Sequence, residues 1–178
     1  MKTLFLCFSV ICGLHSYGQK VLTKPSKEWT SCNNIVSRKE DEITGGKTIT
    51  FQALTFTDPV YQGNAIASIQ YTADTNGVAL NIQYRGECIY RNSSIHLLFT
   101  DSTRITLTNK VEYNCYGEAR IELNNYRDNI LLLKELAGKQ IKAIRIETAY
   151  TSTQRYFTDI ESKNFMFLTN CVLGAIGK

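Results

Sequence analysis

From residue 47 onward, apolar and polar residues alternate over short runs, the period of strands that bury one face. Ile49 and Phe51 alternate on residues 47–52 and predict a first strand, and a loop carrying Asp58 and Pro59 ends the segment after it. Asn76-Gly77 predicts a hairpin, because Asn-Gly supplies the two positive φ values of a type I′ turn. With those two as loop residues, Ala73 lies opposite Leu80, Tyr71 opposite Ile82 and Ile69 opposite Tyr84, all on one face. A second hairpin joins residues 94–100 to 104–109. There Ile95, Leu97 and Phe99 are answered by Ile105 and Leu107, with Phe99 opposite Ile105 across a loop of Asp101, Ser102 and Thr103.

Residues 119–123 form a further short strand. Ile130, Leu133 and Leu136 then fall at helical spacing, so 126–137 reads as a short helix stopped by Gly138. Residues 141–148 return to alternation, with Ile144 and Ile146 inward and Lys142, Arg145 and Glu147 outward, and 155–160 reads as the antiparallel partner. Phe165, Leu168, Val172 and Ile176 recur at helical spacing and predict a C-terminal helix over 162–176. Many short strands, frequent turn signals and brief helices indicate a mainly β chain: an antiparallel β-sandwich or strongly curved sheet built from hairpins.

The first 46 residues lack this pattern. Lys2 precedes an apolar run from Leu4 to Leu14, and Ser16 and Gly18 supply small residues, so 1–18 reads as a secretory signal cleaved near Gly18. Residues 19–46 read as an irregular leader pinned by Trp29 and Cys32, leaving 47–178 as a single β-rich domain. No later segment approaches membrane-spanning length without a charge, which predicts an exported chain, secreted or periplasmic, with no transmembrane segment.

Signal removal takes one lysine from the 20 basic side chains and none of the 16 acids, leaving a net charge of about +3. That balance is too mild and too evenly spread for a nucleic-acid partner. Four cysteines remain, Cys32, Cys88, Cys115 and Cys171, and an even count in an oxidising compartment favours disulfides, with three connectivities open. The second hairpin register, extended, puts Cys88 opposite Tyr116, and a bulge within 91–94 would bring Cys115 into line. Cys88 with Cys115 is therefore the favoured pair, and elimination joins Cys32 to Cys171. No two of these thiols are close enough in sequence for a C-x-x-C metal site, and no cofactor motif is found.

Catalytic signals are sparse. His96 is the only histidine after signal removal, and it sits mid-strand between Ile95 and Leu97, the position of a solvent-face residue rather than a triad base. Asp58, Asp74, Asp101, Asp128 and Asp159 fall mostly in turns, where aspartate bonds its own backbone, so no catalytic residue is singled out. Tyrosines offer a different chemistry, since aromatic faces stack on sugar rings. Tyr84, Tyr90, Tyr113, Tyr116, Tyr126, Tyr150 and Tyr156 are the candidates, although strands also favour tyrosine for packing. Tyr150 and Tyr156 flank a loop of hydroxyl and amide side chains, and with Gln154 and Arg155 they form the nominated contact surface. The chain is thus expected to be a non-enzymatic module binding a protein or a glycan. The rival expectations are a carboxylate enzyme acting on polysaccharide or envelope material, and a structural component of the cell envelope.

Overall fold

The computed structural model describes residues 27–40, 42, 45–57, 66–74, 77–84, 86–123 and 126–176. The signal-like segment, the loop with Asp58 and Pro59, and Asn76 lie outside the described residues. Among the described residues, ten strands form two antiparallel sheets that do not close into a barrel. The first sheet runs in the order β1 (Val36–Glu40), β2 (Lys47–Phe51), β4 (Ile66–Asp74), β5 (Gly77–Tyr84), β8 (Glu118–Leu123), and β3 (Leu54–Thr57) also pairs with β4. The second runs β10 (Ser152–Tyr156), β9 (Ile141–Glu147), β6 (Ser94–Phe99), β7 (Arg104–Thr108). Helix α1 (Tyr126–Gly138) packs on α2 (Asp159–Ile176), and α2 touches both β3 and β9.

Alternation along each strand sends one set of side chains inward. Phe51, Phe56, Tyr71 and Leu80 of the first sheet, Ile95, Leu97 and Ile146 of the second, and Leu133, Phe165 and Leu168 of the helices belong to one continuous buried cluster. Tyr71 is fully buried and its hydroxyl donates to Thr169 Oγ1 at 3.2 Å, while Thr169 passes its own proton to the Phe165 carbonyl at 2.9 Å. Burial pushes the Tyr71 phenol above its ordinary range, and the bond to Thr169 offsets only part of that. No helix among the described residues is long and apolar enough to cross a membrane.

Both hairpins keep the inward faces read from sequence but shift register by two residues. In the first, Ala73 pairs with Val78, Tyr71 with Leu80 and Ile69 with Ile82, so Gly77 opens β5 opposite Asp74 instead of sitting in the loop. Asp74 Oδ1 accepts the Gly77 N–H at 3.2 Å, and Gly77 adopts φ 145°, a conformation open to glycine. In the second, Leu97 rather than Phe99 faces Ile105, and Phe99 pairs with Thr103. The loop is therefore 100–102, with Ser102 at φ 67° and the Asp101 carboxylate accepting the Thr103 N–H at 2.9 Å.

Two boundaries also differ from the sequence reading. Residues 36–40, read as irregular leader, form edge strand β1 against β2, with every residue but Val36 exposed and Arg38, Lys39 and Glu40 charged. The partner strand of β9 covers Ser152–Tyr156 rather than 155–160, so most of the expected loop 151–155 is strand, and it ends there because Thr158 starts α2 through a reciprocal cap. Glu161 Oε2 accepts the Thr158 N–H at 2.8 Å, and Thr158 Oγ1 accepts the Glu161 N–H at 3.3 Å. The C-terminal helix thus begins at Asp159 rather than at 162.

Among the described residues two disulfides brace the fold, Cys32–Cys171 and Cys88–Cys115. Beside the first, the buried Asn164 amide accepts the Trp29 N–H and donates to the Lys27 carbonyl, both at 2.9 Å. The N-terminal segment is thereby fastened to α2.

Candidate binding surface

Of the seven large hydrophobic side chains exposed among the described residues, five are tyrosines: Tyr90, Tyr113, Tyr116, Tyr150 and Tyr156. Single exposed aromatics are ordinary, but a convergent group is not. Three of these five converge at one end of the second sheet, on a scaffold that the sequence builds from polar side chains.

The segment entering β6 and the segment leaving β7 run side by side there. The Cys88–Cys115 disulfide clips them, Ile89 and Asn114 exchange backbone hydrogen bonds at 2.8 and 3.1 Å, and Arg91 pairs with Glu112. The fully buried Asn109 joins them to the first sheet. Its Nδ2 donates to the carbonyls of Tyr90 (2.8 Å) and Val111 (3.0 Å), and its Oδ1 accepts the N–H groups of Val111 (3.0 Å) and Arg120 (2.9 Å). Asn114 closes the next turn, donating to the carbonyls of Glu112 and Glu118 and accepting the Glu118 N–H. A third segment, the β9–β10 turn, docks through the Ala149 N–H on the Cys88 carbonyl at 2.8 Å.

This scaffold brings Tyr90 and Tyr113 into ring contact, with centroids 4.8 Å apart and planes 31° from parallel. Each is about half exposed, and Tyr150, from the docked turn, is 84 % exposed. Partial desolvation, with the neighbouring phenols of Tyr150 and Tyr90, pushes the Tyr113 hydroxyl above its ordinary range. The resulting platform presents aromatic faces and several phenolic hydroxyls on loops with little freedom to rearrange.

The nominated residues divide. Tyr150 belongs to this platform. Gln154 and Tyr156 are exposed on the outer face of β10, whereas Arg155, one residue between them, points to the opposite face. Its guanidinium is buried, pairs with Glu161 at 2.9 Å and lies 5.0 Å from the Phe56 ring centroid. Arg155 therefore secures β10 to α2 and is withdrawn from any surface contact. Tyr84 is core, and the Tyr126 side chain lies outside the described residues.

On the outer face of the second sheet, register sets the side chains in rows. Gln154, Arg145, His96 and Thr106 cross the four strands in one row, and Tyr156, Ala143, Leu98 and Arg104 in the next. His96 bonds Thr106 Oγ1 through Nδ1 at 2.9 Å, and its Nε2 lies 3.5 Å from Glu147. Among the described residues no group of three or more His, Cys, Asp or Glu side chains is placed to hold a metal ion. Tyr90 and Tyr113 were sequence candidates only as members of a long series, and Asn109 carried no signal at all, because its four bonds depend on segments brought together by the fold. Compared with known protein families, curated proteins and solved structures, the chain matches none.

Proposed function

We propose that this chain is an exported, non-enzymatic module that binds a glycan through the platform of Tyr90, Tyr113 and Tyr150. The observation that carries this reading is the convergence of three exposed tyrosines on a braced scaffold, since rigid aromatic faces bind sugar rings at low ordering cost. Export is supported by the signal-like N-terminal pattern and is compatible with the two disulfides.

Covering roughly 50 Å² of each ring is worth about 4 kcal/mol in total at 25 cal/mol/Å², before ordering costs. That is the scale of millimolar affinity, so polymeric glycans, which engage several chains or several sites, are the ligands to test. The oxidised protein is titrated with a panel of neutral polysaccharides by affinity electrophoresis, alongside Tyr113→Ala and Tyr150→Ala. At least one polymer retards the wild type, and each variant loses roughly tenfold in affinity, about 1.4 kcal/mol, with an unchanged melting midpoint. Retardation that survives in both variants contradicts the platform. Depolymerisation of a retarding polymer moves the reading to the enzyme alternative.

A further inference from the structure

The platform leaves the outer face of the second sheet without a role. In the row Tyr156–Ala143–Leu98–Arg104 the small Ala143 and the half-buried Leu98 lie between two long side chains. The result is a depression of about 300 Å³ with Leu98 and Ala143 at its base and Arg104, Arg145, His96 and Gln154 around it. No element among the described residues covers it.

Its charges are unevenly matched. Neither Arg104 nor Arg145 has an ion-pair partner among the described residues, although both stand exposed on this face. The one acid lining the depression, Glu147, is turned to His96 at 3.5 Å, and its carboxyl is held below the ordinary range chiefly by the neighbouring imidazole, with Ser94 adding to it. His96 is itself fixed from the other side by Thr106. Glu147 is thus engaged along the Thr106–His96–Glu147 chain, and two guanidiniums remain to face solvent across an apolar base. Guanidinium groups bind carboxylate and sulfate oxygens through paired, geometrically matched N–H donors.

We infer that this depression is a second binding site, selective for a sugar unit bearing a carboxylate or sulfate. The ring lies over Leu98 and Ala143, its anionic group accepts hydrogen bonds from Arg145 and Arg104, and the Gln154 amide meets a ring hydroxyl. The inference rests on the glycan-binding reading but on different residues, so the two fail separately.

The test uses the full oxidised chain with polygalacturonate as the carboxylated probe, heparin as the sulfated probe and dextran as the neutral one. Binding is measured at roughly 50 and 500 mM salt, which changes screening of exposed charges severalfold. The variants are R104Q/R145Q, and K134Q/K163Q, which removes equal charge from exposed helix positions. At low salt one or both anionic polymers bind at least tenfold tighter than dextran. The preference disappears in R104Q/R145Q and at high salt, and persists in K134Q/K163Q. Preference for polygalacturonate alone assigns a carboxylate, and for heparin alone a sulfate. Dextran binding with no anionic preference overturns this site and leaves the platform standing. Equal loss in both double variants also overturns it, since net charge then explains the binding. Failure of every glycan, including the neutral panel, overturns both readings.

Discussion

Three polar residues show how differently a buried group can be settled in this chain. Asn109 satisfies all its donors and acceptors, Tyr71 hands its proton along a short chain to the α2 backbone, and Arg155 meets a carboxylate. The Arg155–Glu161 pair is almost wholly buried, so deleting one partner strands the other charge. Glu161→Gln is expected to cost about 3–5 kcal/mol in urea unfolding. Arg91→Ala, which breaks an exposed pair, is expected to cost under about 1 kcal/mol. Tyr71 sets an alkaline limit. A phenol raised in the folded state contributes stability fully below its unfolded value near 10 and loses it as pH climbs toward the folded value. Unfolding midpoints measured from pH 8 to 12 therefore fall above about pH 10, and Tyr71→Phe removes that part of the decline. At this scale the sequence is partly readable: strand alternation alone separates Arg155 from Gln154 and Tyr156, whereas proximity to a loop does not.

Elements were more legible than their edges. Strand faces follow from alternation, but a slip of two residues leaves every side chain on its own face, so hydrophobic pattern cannot distinguish Tyr71 opposite Leu80 from Tyr71 opposite Ile82. The deciding contacts are local carboxylates, Asp74 to Gly77 and Asp101 to Thr103, which close each turn one step before the loop expected from Asn76-Gly77 in the first hairpin and from apolar pairing in the second. The start of α2 was present in the sequence as Thr158-x-x-Glu161, a capping box concealed by the aromatic run Tyr156-Phe157 that reads as strand. Thr158→Ala is expected to lower stability by about 1 kcal/mol, seen as a shifted urea midpoint with unchanged slope. Strand β1 had no comparable signal, because an exposed charged edge shows no alternation.

At the scale of the whole molecule, closure of the chain ends and assembly of the platform depend on contacts that span most of the sequence. Cys32–Cys171 joins residues 139 apart, and Asn164 adds two hydrogen bonds beside it. Replacing both cysteines by serine is expected to cost about 2–5 kcal/mol by freeing the unfolded chain, with the loss vanishing when wild type is compared under reducing conditions. The tyrosine platform could not be read from local pattern, since Tyr90, Tyr113 and Tyr150 meet only after a disulfide, a buried asparagine and a docked turn bring three segments together.

Hydrogen exchange of the oxidised protein, free and saturated with the polysaccharide that retards it, maps where the glycan sits. Binding at the platform predicts slowed exchange in residues 86–93, 109–117 and 148–151, with the first-sheet strands β1 and β2 unchanged. Protection confined to β1 and β2, or to α1, with those three segments unaltered, contradicts it.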